Sequence, residues 1–243
     1  VVKSDLDWRT SGGPLVFNSI YTSEHYDARL EQPGWSSPGF DDSAWGGVMY
    51  RGAPSQRVTA QQTVPIRNVT EYRPRSVRKL DERSYLYDFG QNMAGVTKLR
   101  LRGEAGTQLR LIHAERLRED GHADLSNIDV YFRPTDKDDL FQTDVVTLSG
   151  RDDEFMPRFN YKGFRYVEVV ADRPVELSAE NLTAYAMHSD VTPVGHIETS
   201  NDLVDKLWDA TNKAYLSNLM GYPTDCPQRE KNGWTGDCLL YTS

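Results

Sequence analysis

The residue types best suited to chemistry lie together in one stretch, Asp225 to Asp237, which reads DCPQREKNGWTGD. Three carboxylates, an arginine and a tryptophan fall within these thirteen residues. Gly233 and Gly236 allow tight backbone bends. The stretch is therefore predicted to be a folded-back loop that brings its carboxylates into one small volume.

The charges of this loop suit acid catalysis on a sugar. Crowded carboxylates raise one another's pKa, whereas Arg229 and Lys231 act in the opposite direction. A carboxyl held against an apolar wall such as Trp234 stays protonated near neutral pH, as a general acid requires. An arginine and further carboxylates bind hydroxyl groups in fixed directions. These residues favour a glycosidase subsite, and they leave open a charged loop with a buried tryptophan and local salt bridges.

A helix is predicted to lead into this loop, over about twenty residues between 199 and 220. Thr199 and Asp202 could form a capping box, and Gly221 and Pro223 are expected to end the helix. One apolar stripe recurs at helical spacing; it consists of Val204, Leu207, Trp208, Thr211, Tyr215 and Leu219. Because one helix cannot build a helical core, the sequence is expected to be the front part of a longer protein.

Residues 61 to 190 show the two-residue period of β-strands. Thr97, Leu99 and Leu101 are expected on one face of a half-buried strand, with Lys98, Arg100 and Arg102 on the other. The turn 103–106 and the following apolar segment predict a hairpin with a four-residue loop. Residues 144–150 and 163–171 predict two more strands, which favours a β-sandwich over a βαβ fold.

The first sixty residues are rich in turns and contain Trp8, Trp35 and Trp45. These tryptophans either plug the ends of a small β-sandwich or form a surface that stacks on sugar rings. The plug is the simpler interpretation.

Composition excludes several classes of function. The net charge of −8 supplies no basic stripe for a nucleic acid, and no apolar run is long enough to span a membrane. The two cysteines, Cys226 and Cys238, have no nearby histidine, so neither a zinc site nor a disulfide framework is expected. The polar segment 119–139, with His122, is interpreted as a long solvated loop rather than a calcium or zinc site. No cofactor is expected.

Several of these segments resemble one family. The motif PTDCPQREKNGWTGD, residues 223–237, resembles the signature of bacterial α-L-rhamnosidases, glycoside hydrolase family 78. Residues 87–117 and 157–169 resemble the second β-sandwich domain of that family, and residues 18–45 resemble the end of its N-terminal jelly-roll domain. The similarity covers nearly the whole chain in the order of the family.

The resemblance implies a mainly β chain followed by the first helix and loop of an (α/α)6-barrel. Residues 1–60 would be the C-terminal part of a jelly-roll, carbohydrate-binding-like domain, 61–192 a β-sandwich domain, and 193–243 the start of the catalytic barrel. The activity implied is the inverting removal of terminal α-L-rhamnose from a glycoside or polysaccharide. Glu230, the only glutamate of the motif, matches the general acid; Asp225, Arg229, Trp234 and Asp237 match residues lining the sugar pocket.

The general base is not expected in this sequence, because in the family it comes from later in the barrel, so this chain alone is expected to be inactive. The loop is one residue shorter after Arg229 than in many members. The alternative is a non-catalytic carbohydrate-binding or architectural β-sandwich module. A homo-oligomer is compatible with the sequence. The start looks internal, with no initiating methionine, which leaves the compartment open between cytoplasmic and exported.

Overall fold

The computed structural model describes residues 4–53, 55, 57–129 and 139–233. Strands dominate the described residues. They are β1 Arg9–Thr10, β2 Leu15–Asn18, β3 Glu24–Asp27, β4 Gly46–Gly47, β5 Ile66–Tyr72, β6 Ser76–Lys79, β7 Ser84–Arg102, β8 Gln108–Ala114, β9 Arg116–Leu117, β10 Ala123–Asp124, β11 Thr143–Thr147, β12 Asp152–Phe155, β13 Lys162–Ala171 and β14 Leu182–Ser189. One α-helix, α1, spans Asp202–Ser217.

Ten of these described strands belong to one sheet, in the order β2-β3-β11-β8-β13-β7-β14-β5, with β6 and β12 also paired to β7. The pairings are antiparallel except that between β3 and β11. A mainly antiparallel sheet without βαβ units confirms the predicted mainly β fold.

The long strand β7 curls the sheet around one core. Its first half pairs with β13 and its second half with β14 and β12. Apolar residues from both parts of the sheet form a common buried cluster that includes Tyr87, Leu99, Leu109, Phe164 and Leu182. The curl therefore produces a sandwich-like core from one hydrogen-bonded sheet.

The predicted hairpin between β7 and β8 is wrong, although the alternation behind it is confirmed. Thr97, Leu99 and Leu101 are buried as expected. However, β8 pairs with β11 and β13, not with β7. Two strands with apolar faces toward one core can pair side by side or face each other across it, and alternation alone does not distinguish the two.

The N-terminal residues join this sheet through β2 and β3. The three tryptophans differ in their surroundings. Trp8 and Trp35 are 49% and 58% exposed. Trp45 packs on Phe40 and donates Nε1–H to Gln32 Oε1 at 2.8 Å. The plug interpretation fits Trp45 best.

Helix α1 is shorter than predicted, and its cap differs. Asn201, not Thr199, is the N-cap and accepts a hydrogen bond from the Leu203 N–H at 3.0 Å. Thr199 instead donates its hydroxyl to Asp205 Oδ1. Of the predicted apolar stripe, Trp208 contacts His196 edge to face, and Leu207 remains 66% exposed. No helix in the described ranges is long and apolar enough to cross a membrane.

Candidate active site

The candidate loop is fixed at the point where it leaves α1. Thr224 donates its N–H to the carbonyl oxygen of Asn218 at 2.7 Å, and its hydroxyl donates to the same oxygen at 3.1 Å. Gly221, with φ +83°, donates its N–H to Ser189 Oγ at 2.8 Å. The end of α1 and the end of β14 thus set the entry of the loop.

The loop folds back through Asp225, as predicted for its described part. The Asp225 N–H donates to the carbonyl oxygen of Asn232 at 2.9 Å. Asp225 Oδ1 in turn accepts the N–H of Asn232 at 3.0 Å and that of Cys226 at 2.8 Å. One carboxylate therefore closes a ring of eight residues, from 225 to 232.

Glu230 lies within this ring, and its side chain is one of the groups that lower the pKa of Asp225. Partial burial raises the pKa of Asp225, but the hydrogen bonds with Glu230 and with the N–H groups of Asn232 and Cys226 hold it below its ordinary value overall. The groups that close the ring therefore also favour the ionised form of Asp225.

Among the described residues, Arg229 brings a positive charge close to Glu230. Its Nε lies 4.0 Å from Glu230 Oε1, and the two side chains are 32% and 36% exposed. The Glu230 N–H points to the buried Cys226 Sγ at 3.4 Å. The structure thus brings Asp225, Arg229 and Glu230 together, whereas Trp234 and Asp237 lie outside the described residues.

Lys231 does not act on these carboxylates in the way that the sequence suggested. Its side chain is buried, and Nζ donates to the carbonyl oxygens of Ile20 and Tyr161, at 2.6 Å each. No sequence signal marked this lysine, because its partners are backbone atoms 211 and 70 positions away.

A cavity of about 460 Å³ borders the loop on its Asp225 side. Its walls come from the sheet, α1 and the loop, and include Gln91, Glu115, Lys213, Ser217, Asp225 and Gln228. Gln228 donates Nε2–H to Glu115 Oε2 at 3.4 Å. Glu230 and Arg229 do not line this cavity, so it reaches Asp225 but not the candidate acid.

A second cavity, of about 430 Å³, lies between the N-terminal strands and the sheet and is lined by Trp35 and Trp45. Two polar side chains in its walls, Tyr26 and Glu24, are already paired. Tyr26 donates its hydroxyl to Glu31, and Glu24 accepts the N–H groups of Arg158 and Phe159. A sugar would have to displace these bonds, so the cavity gives little support to a stacking site.

His122, which lies in the polar segment 119–139, pairs with a carboxylate. Its Nδ1 lies 2.7 Å from Glu168 Oε1. Within residues 4–129 and 139–233, apart from residues 54 and 56, no three His, Cys, Asp or Glu side chains converge on a point that could hold a metal ion. Part of the segment 119–139 lies outside the described residues.

Three family models match the chain in succession. They are the alpha-L-rhamnosidase N-terminal domain over residues 1–70, the bacterial alpha-L-rhamnosidase concanavalin-like domain over 78–188, and the bacterial alpha-L-rhamnosidase 6 hairpin glycosidase domain over 192–243. The chain belongs to the bacterial α-L-rhamnosidase family. The resemblance stated from the sequence is thereby confirmed, together with the order of β units before a helical unit.

Relatives of this family match the chain over nearly its whole length. This chain is 38% identical over 245 residues to an α-L-rhamnosidase of Streptomyces avermitilis, and the match covers 99% of this chain and 23% of the relative. The α-L-rhamnosidase structure from Dictyoglumus thermophilum has a TM-score of 0.87 at 38% identity and covers 98% of this chain and 26% of that one.

The crystal structure of the Streptomyces avermitilis enzyme complexed with L-rhamnose also has a TM-score of 0.87, at 37% identity over 99% of this chain and 23% of that one. The chain thus spans about a quarter of the length of these relatives.

Proposed function

We propose that this chain supplies the proton-donating side of an inverting α-L-rhamnosidase active site, with Glu230 as the general acid. Asp225 and Arg229 would bind the hydroxyl groups of a terminal α-L-rhamnose, together with Trp234 and Asp237. The observation that carries the proposal is the loop that Asp225 closes, which places the side chains of Asp225, Arg229 and Glu230 beside one another.

Asp225 favours the protonated state of Glu230 that a general acid requires, because a negative carboxylate beside a second carboxyl disfavours ionisation of the second. Arg229 acts in the opposite direction, but its Nε lies 4.0 Å from Glu230 Oε1 and both side chains are about one third exposed, which weakens the ion pair.

The reaction follows from this arrangement. Substrate binding brings the glycosidic oxygen to Glu230, which transfers its proton to that oxygen as the bond from the anomeric carbon to the oxygen breaks. A water molecule, deprotonated by a second carboxylate, attacks the anomeric carbon from the opposite face. In inverting enzymes the two carboxyls are about 6.5–9.5 Å apart, which leaves room for that water.

The base would come from a longer protein that contains this chain, since the relatives are about four times as long. The 243-residue chain by itself is accordingly proposed to be inactive. The β units would brace the loop and the barrel.

The test uses the full-length protein and an aryl α-L-rhamnoside. Proton NMR during the first turnovers is expected to show β-rhamnose before mutarotation, since inversion of an α-linkage gives the β-anomer. Initial release of α-rhamnose would contradict inversion, and no release of rhamnose would contradict the activity.

The carbohydrate-binding alternative predicts a different outcome. Rhamnose would then bind the chain without turnover, and binding would survive deletion of residues 193–243. A sugar pocket built around Asp225 and Glu230 loses binding in that deletion, which calorimetry measures directly.

A further inference from the structure

The side chain of Lys231 links the acid loop to two distant parts of the chain. It is 5% exposed, and its Nζ contacts the carbonyl oxygens of Ile20, before β3, and of Tyr161, before β13. The Tyr161 ring lies under the same nitrogen, 4.5 Å from its centroid. One side chain next to Glu230 thus holds the loop against both the N-terminal residues and the central sheet.

Two features of Lys231 are energetically unfavourable: its backbone conformation and the burial of its amine. Its φ of +53° lies in the left-handed region, which side chains other than glycine rarely adopt. Burial lowers the pKa of its amine well below the ordinary value; the charge of Lys162 lowers it further, and Asp144 and Cys226 oppose this. Backbone strain persists where the surrounding structure holds it in place and is frequent at functional sites.

A second contact packs the same loop against β13. A Cβ on Gly163 would lie 2.9 Å from Gln228 Cβ and 3.1 Å from Pro227 Cγ, so only glycine leaves room for the loop backbone at this point. The strand is itself fixed there, because Gln142 Nε2 donates to the Gly163 carbonyl oxygen at 2.7 Å. The glycine contact and the lysine contact flank the turn that carries Glu230.

We propose that Lys231 is a positioning residue, whose two hydrogen bonds to Ile20 and Tyr161 fix the place of Glu230 relative to the β units. The catalytic consequence rests on the proposed function; the restraint on the loop does not. A proton donor must be held within about half an ångström of its productive place, and a displacement of about 1 Å can cost on the order of a hundredfold in rate. The β units are then part of the catalytic apparatus through this contact.

The substitutions separate the effect of the Lys231 hydrogen-bond donors from the effect of its side-chain volume. Lys231→Met keeps most of the side-chain volume and removes the donors, whereas Lys231→Gln keeps two N–H donors without the charge. Lys79→Met is the matched control, because Lys79 is a lysine of β6 that pairs with Glu82 at 3.2 Å and with Glu176 at 3.1 Å, outside the loop. All variants are made in the full-length protein.

Hydrogen–deuterium exchange of residues 224–233 and the kinetic constants for an aryl α-L-rhamnoside are measured. For Lys231→Met we expect exchange in the loop to rise about tenfold and kcat to fall at least about tenfold, with KM changing less than about threefold. Lys231→Gln should be milder in both measurements, and Lys79→Met should match the wild type.

Wild-type exchange and kcat in Lys231→Met would overturn the proposal, as would a Met variant milder than the Gln variant. If Lys231→Met does not fold, Lys231→Gln is compared with the wild type by the same measurements, and unchanged exchange then overturns the proposal. If the wild type hydrolyses no rhamnoside, the proposed function fails, and the exchange measurement alone decides whether Lys231 holds the loop.

Discussion

Asp225 Oδ1 accepts the N–H groups of Cys226 and Asn232, and the Glu230 side chain within the same ring helps to lower the pKa of Asp225. The same carboxylate therefore shapes the loop and faces the candidate acid. Loop closure and proton placement are coupled through one residue, and they can be separated by substitution.

Replacing Asp225 with alanine is expected to weaken rhamnose binding to the full-length protein by at least about tenfold. The reason is that the N–H groups of Cys226 and Asn232 lose their acceptor, so that the loop is no longer closed. Asp225→Asn is the matched variant, since its amide oxygen still accepts those N–H groups. Calorimetry with rhamnose should rank wild type, Asn and Ala in that order, and equal affinity of Ala and wild type would remove Asp225 from the sugar site.

The ion pair between Asp88 and Arg165 predicts acid sensitivity of the sheet. Arg165 reaches both carboxylate oxygens at 2.8 Å, where β13 departs from regular register. Its hydrogen bonds hold the pKa of Asp88 below the ordinary 3.8, although partial burial opposes this. A lowered carboxyl pKa contributes stability that is present above the ordinary pKa and lost as pH falls through the lowered one.

Asp88→Asn should therefore lower the free energy of unfolding by about 0.5–1 kcal/mol at pH 7, and the difference from wild type should shrink as pH falls below about 4. Urea unfolding at several pH values measures it. Asp152→Asn is the control, because Asp152 is 85% exposed and 3.9 Å from Arg102. A difference that grows as the pH falls would contradict the assignment.

The buried pair of Lys162 and Asp144 predicts non-additive stability. Their Nζ and Oδ1 atoms are 2.6 Å apart, and the side chains are 2% and 0% exposed. Lys162→Met leaves a buried carboxylate without its cation and should cost about 3–5 kcal/mol. In the double variant with Asp144→Asn the charge is gone, so the loss should be smaller than the sum of the single losses by about 1 kcal/mol or more. Additive losses in urea unfolding would show that the two charges do not depend on each other.

The sequence predicted what depends on local pattern and composition. The alternation of Thr97, Leu99 and Leu101 placed a strand face correctly, and the glycines and carboxylates after residue 224 predicted the folded-back loop. The pairing of β8 was not predictable in this way, because the choice between neighbour and opposite strand depends on β13, which comes more than fifty residues later.

The contacts between the loop and the rest of the chain could not be predicted from the sequence for the same reason. Lys231 appeared to be one more loop charge, since neither its backbone acceptors at Ile20 and Tyr161 nor the space left by Gly163 has a local signature. The helix cap was missed by two residues because Thr199 and Asn201 are both good caps. The roles of Trp234 and Asp237 remain predictions from the family resemblance.

The most direct test of the central claim, that Glu230 donates the proton, compares two leaving groups. In the full-length protein, Glu230→Gln should lower kcat by about 10²–10⁴ on a substrate whose leaving group needs protonation, and far less on a dinitrophenyl rhamnoside, which leaves as a stable anion. Glu198→Gln, at an exposed position before α1, is the control and should have no effect. A near-normal rate on both substrates, or an equal loss on both, would show that the proton comes from another residue.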